Sequence, residues 1–333
     1  MSALTPHAAP FARRRCLVTG ASGFIGAALS RTLADRGACV FALSRTPGRL
    51  APLIAQGRVR HLPCDLTDPA SVRASLHVAA PEIVFHFASA PDGPETASLR
   101  SERLAVNAMG TLHALQALVD LDLRPIFVYG DSRKVHGGAE PPHTADSPLA
   151  PTGVYGASKA AGWLLCCAYA SVHQLPVVSL RPSLIYGPGQ GRNLIRVALE
   201  AARAGTPVLT LQGGAQTRDP IYLDDAIEAF LLAAAKAHEL DGAAIPIGGG
   251  EEVSVRDLAQ RVIDIAQGAT VIRCEPAATR PNEIWRSYSD NTDALRLLGW
   301  KPRHSLDEGL ALTVLHSLQT TPSSSTTHAG AAR

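Results

Sequence analysis

The sequence predicts an α/β fold: a doubly wound parallel sheet with a smaller mixed α/β unit attached. Three observations lead there. Strand-length apolar runs alternate with helical stretches of about 10 to 20 residues through the first half of the chain. A glycine-rich turn joins the first run to the first helix, and after about Arg181 the alternation gives way to a Gly- and Pro-rich texture. At 333 residues the chain can bury a substantial core as one large unit or as a main domain with a smaller partner.

The elements follow in order. "RRR", Arg13 to Arg15, is a solvated entry to the strand "CLVTG", which leads into a helix from about Gly23 to Arg36. "CVFALS", "VRHLPCD" and "EIVFHFAS" read as strands, "LAVNAMGTLHALQALVD" as a helix, and "PIFVYG" as a further strand. A helix from Tyr155 to about His173 and the strand "VVSLRPS" complete the series. Strands and helices alternating in this way make right-handed βαβ units with both sheet faces covered. Beyond Arg181, "LIRVALEAARAG", "VSVRDLAQRVIDIAQ" and "SLDEGLALTVLHSL" are helical, and "YLDDAIEAFLLAAAKAHEL" is expected to return to the main body. The expected division is 13–182 with about 216–238 for the sheet domain, and about 183–215 with 239–317 for a substrate domain. Residues 1–12 and 318–333 are expected to be flexible tails, the latter being poor in bulky apolar residues.

Bulk properties exclude several classes. A formal charge of +2 with scattered basic residues argues against nucleic acid as a partner. The six cysteines show no CxxC or Cys/His spacing, so no metal is expected and buried, reduced thiols fit a cytoplasmic protein. No apolar leader and no membrane-length run is present, which predicts a soluble protein.

"VTGASGFIG" sets Gly20, Gly23 and Gly26 at the strand-to-helix junction, with Ser22, Phe24 and Ile25 between them. Glycine there permits a tight turn, lets a pyrophosphate approach the helix N-terminus and allows close helix–sheet packing, the Rossmann arrangement for a dinucleotide. The second strand ends in Ser44 and Arg45, with Arg49 shortly after, where an acid would grip the ribose hydroxyls of NAD. A hydroxyl and a guanidinium suit a 2′-phosphate, so NADP is expected, with NAD as the alternative. Asp65 ends the third strand, where it is either an acceptor for the adenine amine or a plain turn aspartate; Leu66 beside it and Ala88 after the fourth strand complete the expected cofactor wall.

"YGASK" places Tyr155 and Lys159 on one helical face. An ammonium near a phenol favours phenolate, and bringing the tyrosine from about 10 toward neutrality needs roughly 3 to 4 kcal/mol from Lys159 and an oxidised nicotinamide together. Ser132 lies at the end of the fifth strand, 23 residues upstream of Tyr155.

Taken together, these motifs resemble the extended short-chain dehydrogenase/reductase family, in its NAD(P)-dependent epimerase/dehydratase group acting on nucleotide sugars. The resemblance spans about residues 14 to 316. It implies that Tyr155 is the acid/base, that Ser132 bonds the reacting sugar oxygen, and that Lys159 binds the nicotinamide ribose and tunes the tyrosine. "NAMGTLHAL" is similar to the family's Asn-containing helix, making Asn107 the residue that orders the lysine and a relay water. "RPSLIYGPGQ", "TRDPIYLDD" and "RPNEIWRSYSD" resemble its sugar-nucleotide segments, which implies diphosphate contacts from Arg218, Arg280 and Asn193. Each arginine has a structural salt-bridge alternative.

The family's sugar 4,6-dehydratases carry acids directly after the active-site hydroxyl, whereas this chain has Arg133 and Lys134. Neither replaces a carboxylate acid/base, so dehydration is disfavoured. The two cations are either solvated or substrate-binding, and His136, where a tyrosine is usual, is a structural or a substrate-facing residue. Reduction of a 4-keto nucleotide sugar by NADPH is favoured over 4-epimerisation with retained NAD, with other carbonyl substrates behind. A non-catalytic NADP-binding sensor is the reading from a different class. The helices "NAMGTLHALQALVD" and "YGASKAAGWLLCCAYA" match those that pair relatives into homodimers, or form internal core.

Overall fold

The computed structural model describes residues 10–240, 242–275 and 283–320. Its first half runs β1 (Arg15–Thr19), α1 (Phe24–Asp35), β2 (Cys39–Ser44), α2 (Ala51–Ala55), β3 (Val59–Pro63), α3 (Pro69–Ala79), β4 (Ile83–His86), α4 (Ala97–Arg103), α5 (Gly110–Asp120), β5 (Ile126–Gly130), α6 (Val154–His173) and β6 (Val177–Pro182). The second half runs β7 (Leu184–Tyr186), α7 (Leu194–Arg203), β8 (Val208–Gln212), β9 (Thr217–Arg218), β10 (Pro220–Tyr222), α8 (Leu223–Ala235), β11 (Ala244–Ile247), β12 (Val253–Ser254), α9 (Val255–Ile265), β13 (Val271–Glu275) and α10 (Leu306–Thr320).

Seven strands form one parallel sheet in the order β11-β6-β5-β4-β1-β2-β3. Both faces are covered, which is why its strands read as unbroken apolar runs rather than alternating ones. Along β1, Cys16 and Val18 face a core shared with Leu29 and Leu33 of α1 and Phe230 of α8. Leu17 faces the other core, built with Leu76 of α3, Leu118 of α5 and Trp163 of α6. The strand order reverses between β1 and β4, and the crevice beyond their carboxyl ends is the usual ligand position in such sheets. A third core, around Tyr186, Ile195, Leu258, Val262 and Leu310, packs α7, α9 and α10 over β7, β8 and β10.

The structure departs from the sequence expectations at the margins. Ala244–Ile247, expected in the smaller unit, is an edge strand of the main sheet beside β6. The run is short and contains Pro246, tolerated at an edge, so it carries little strand signal. Phe11, expected in a flexible tail, is 1% exposed within the first core, and α10 continues to Thr320. All six cysteines are free, but only Cys16, Cys64 and Cys166 are buried, while Cys39 is exposed at the start of β2. Between α4 and α5, Leu104–Met109 form a π-helical turn in what the sequence presents as one helix. Among the described residues no helix is long and apolar enough to cross a membrane.

Candidate active site

Gly20 takes φ +64°, and a Cβ there would sit 2.7 Å from the backbone of Ala88. The turn after β1 and the end of β4 therefore touch through backbone alone. A Cβ on Gly26 would fall 2.4 Å from the Gly20 carbonyl oxygen, so this glycine lets α1 close onto the turn. The α1 N-terminus has no side-chain cap and no acid in its first turn, leaving amides and dipole free for a pyrophosphate. These features fit a dinucleotide.

The end of β2 is less simple than its sequence. The Ser44 hydroxyl donates to Thr46 O at 2.8 Å and lies 3.1 Å from His61 Nε2. Its one proton is committed, and a phosphate dianion can only accept, so Ser44 shapes the turn while Arg45, exposed, is left as the candidate phosphate group. Arg49 reaches across to donate to the Gly189 carbonyl, bridging the two sides of the crevice. Asp65 Oδ1 accepts from Thr67 N at 2.9 Å and Thr67 Oγ1 at 2.8 Å, the turn role; these bonds hold its carboxyl below the usual range. Leu66 is buried and its carbonyl pairs with His113 Nδ1 at 2.8 Å.

A buried hydrogen-bond chain, absent from the sequence reading, links this wall to the helix of Asn107. Ala88 N donates to Thr19 Oγ1 at 3.1 Å, Thr19 stands 3.1 Å from His86 Nδ1, and His86 Nε2 stands 3.1 Å from Thr111 Oγ1. Thr111 donates to Asn107 O at 2.6 Å, so His86 must donate through Nε2 and accept through Nδ1 as a neutral imidazole. Burial, aided by the Lys159 charge, pushes it down to about 3. Only the strand position of His86 hints at this in the sequence. The Asn107 side chain accepts from Ala90 N at 2.8 Å and donates to Ser158 Oγ at 2.9 Å, and Ser158 donates to Tyr155 O at 2.8 Å. Asn107 thus anchors the first turn of α6, one step removed from Lys159.

Tyr155 and Ser132 come together through a side-chain hydrogen bond, while Lys159 lies one turn along α6 with its ammonium directed at another ring. Lys159 is 2% exposed and its Nζ lies 4.6 Å from the centre of the Tyr129 ring, with burial pushing it down to about 8 against the opposing charge of Asp131. The Tyr155 phenol is not lowered; burial, then Asp92, push it up to about 12, while hydrogen bonding from Ser89 and Ser132 works the other way. Desolvation prevails over the hydrogen bonds to the phenol, and the Lys159 ammonium lies over the Tyr129 ring instead. Ser89, next to Ala88, is a hydroxyl the sequence reading missed.

Tyr155 opens onto a cleft of about 800 Å³ lined also by Asp92, Arg133, Lys134, Arg218 and Glu283. Lys134 pairs with Asp92 at 2.5 Å, and its N–H donates to Ser132 Oγ at 3.2 Å. Arg133 is buried and donates to the Ser287 hydroxyl; burial, with Arg218 nearby, pushes it down to about 10. Arg218 pairs with Glu283 at 2.5 Å and donates to Ile284 O at 2.9 Å. Asn193 is elsewhere engaged: it caps α7 through Arg196 N at 3.0 Å and donates to Gln190 at 2.8 Å. His136 is structural and fully buried, its Nδ1 3.0 Å from Pro148 O and its Nε2 3.3 Å from Arg181 Nη1. Arg280 lies outside the described residues. No group of three His, Cys, Asp or Glu able to hold a metal occurs among the described residues.

Comparison with known proteins agrees with this geometry. The chain is 30% identical over 311 residues to a UDP-glucose 4-epimerase of Mycolicibacterium smegmatis, covering 90% of this chain and 97% of that protein. It is 29% identical over 312 residues to a GDP-6-deoxy-D-mannose reductase of Pseudomonas aeruginosa, covering 89% and 95%. The crystal structure of a UDP-glucuronic acid 4-epimerase from Bacillus cereus with UDP-glucuronic acid and NAD superposes with a TM-score of 0.84 at 26% identity, covering 92% of this chain and 99% of that one. A match to the NAD dependent epimerase/dehydratase family over residues 16–248 takes in the glycine turn, Ser132, Tyr155 and Lys159, and the chain belongs to that family of extended short-chain dehydrogenase/reductase enzymes.

Proposed function

We propose that this enzyme reduces the keto group of a 4-keto nucleotide sugar with NADPH. The observation that carries the reading is that Tyr155, with Ser132 bonded to its phenol, lines an open cleft of about 800 Å³, where a phenol protonated at neutral pH can donate to a bound carbonyl. Gly20, Gly23 and the α1 N-terminus would hold the pyrophosphate, Arg45 the 2′-phosphate, and Lys159 the nicotinamide ribose. A reduced nicotinamide held by these residues would be the source of hydride for the carbonyl carbon. Tyr155 gives its proton to the carbonyl oxygen, and Ser132 donates to the same oxygen as negative charge grows on it. The alcohol leaves, and the phenolate regains a proton from solvent.

Arg218 and Arg133 are the groups best placed for a diphosphate, and Arg133 and Lys134 leave no carboxylate for dehydration at these positions. Leu164 and Val172 on α6 and Met109 before α5 are exposed apolar residues, which supports pairing with a second copy through these helices. Epimerisation at C4 with retained NAD is the second reading, favoured by the similarity to 4-epimerases and by the committed Ser44 hydroxyl. Incubation with NADPH and a panel of 4-keto nucleotide sugars separates the two. Stoichiometric NADPH oxidation with alcohol product is expected; tightly held NAD and interconversion of C4 epimers without net cofactor consumption would establish the epimerase instead.

A further inference from the structure

Asp131 is a carboxylate that the mechanism above leaves unused. It stands between the last residue of β5 and Ser132, and its side chain is wholly buried. Oδ2 accepts from Arg181 Nε at 3.1 Å and from Ser179 Oγ at 3.4 Å, both on β6, and its N–H donates to Leu180 O at 3.0 Å. Oδ1 is buried without a hydrogen-bond partner. Burial pushes the Asp131 carboxyl up, while the Arg181 and Lys159 charges and the Ser132 backbone N–H work the other way, so the anion depends on the positive groups around it.

Ionisable groups face it from every element packed around it. β6 brings Arg181; α6 brings Lys159, Tyr155, Cys166 and Cys167; β5 itself brings Tyr129. His136 is reached through Arg181 Nη1 at 3.3 Å, and His86 of β4 lies on the far side of Lys159. Two of these are cations, and Arg181 is bonded to Oδ2. The second is Lys159, and Tyr129 joins it to Asp131: the Lys159 Nζ lies 4.6 Å from the centre of the Tyr129 ring, and Tyr129 stands two residues before Asp131, whose N–H donates to the Tyr129 carbonyl at 3.1 Å.

We propose that Asp131 is a positioning residue for the Tyr155 and Lys159 pair: clamped by Arg181, it is the counter-charge that keeps the buried lysine an ammonium while Tyr155 transfers its proton. This rests on the proposed function for the role of Lys159, although the charge relation itself does not. Burial alone drives Lys159 down, and Asp131 is the foremost charge opposing that drive. An anion favours the protonated amine, so removing it must lower Lys159 further. The carboxylate also raises Tyr155, which keeps the phenol a donor.

The test is the titration of Lys159 in Asp131→Asn, which keeps an oxygen for Arg181 but loses the charge. The chain has four lysines, so the Lys159 Cε resonance can be assigned by carbon-13 NMR of the cofactor-free protein with a Lys159→Met control. The wild-type midpoint is expected near 8, and that of Asp131→Asn about one pH unit lower, with the alkaline limb of turnover moving the same way. Should the single variant fail to fold, Asp131→Asn with Arg181→Gln removes the buried Asp131–Arg181 pair together, and since Asp131 is the member that acts on Lys159 the midpoint is expected to shift in the same direction. A Lys159 midpoint that stays in place or rises in either folded variant overturns the proposal, whatever stability is lost. Absence of turnover with every nucleotide sugar would defeat the proposed function and leave the NMR result to decide this one.

Discussion

The proposed cofactor wall, at the glycine turn, and the proposed sugar wall, in the cleft that Tyr155 lines, are held by different kinds of contact. On the cofactor side the closest approaches are backbone to backbone, with Gly20 against Ala88 and Gly26 against the Gly20 carbonyl. On the sugar side they are side-chain contacts between distant segments: Lys134 with Asp92 across 42 residues, Arg218 with Glu283 across 65, and Arg133 with Ser287 across 154. Backbone approach leaves no room for a side chain, so that wall tolerates little change. The partly solvated Lys134–Asp92 pair contributes little, and side-chain contacts of this kind can be re-paired by substitution, so the proposed sugar wall is the one freer to change.

The largest effect should come at Tyr155. Tyr155→Phe is expected to lower turnover by roughly 10²- to 10⁴-fold while leaving the dissociation constant for NADPH unchanged in a fluorescence titration. Near wild-type turnover would remove Tyr155 from the chemistry. On the cofactor wall, Gly20→Val forces a branched side chain into positive φ and into the Ala88 backbone. A loss of about 2 kcal/mol or more in denaturant unfolding, with loss of cofactor binding, is expected.

Acid should act on both walls. His86, on the cofactor side, is down at about 3, and His143, stacked on His136 on the sugar side, is at about 4, each from an ordinary value of 6.5. Their folded values lie below the unfolded one, so the unfolded chain takes up protons first and stability falls as pH drops below about 6.5. Each contributes a loss of about 2 kcal/mol between pH 7 and 5, measurable by urea unfolding at the two pH values; His86→Asn should remove the cofactor-side share alone. A flat profile would mean that neither is buried neutral.

Smaller effects sharpen the contrast. Arg45→Gln is expected to weaken NADP about tenfold and to leave NAD unchanged, and tighter binding of NAD by the wild type would end the NADP assignment. Lys134→Met should cost less than about 1 kcal/mol of stability, because its pair with Asp92 is partly solvated, and should raise KM with kcat little altered. A large fall in kcat would move Lys134 into the chemistry.

Local patterns in the sequence were enough for the parallel sheet, the glycine turn and the Tyr155/Lys159 face. Each depends on residues within one turn or one strand–helix junction, where spacing dictates direction. Ala244–Ile247 escaped because pairing with β6 is a long-range event for a run too short to show a period. The same holds for the burial of Phe11.

What the sequence alone determined is which chemical groups exist: a phenol, an ammonium and a hydroxyl at fixed spacing after a nucleotide-binding turn. What only the tertiary structure decided is their ionisation and their neighbours. Tyr155 is raised rather than lowered, Ser44 is tied to Thr46 rather than free for a phosphate, and Asp131 is buried with Arg181 on one of its oxygens. The reason is that desolvation and charge act through space, falling off over a few ångströms, and the distance between two side chains of a folded chain is not written in their separation along it.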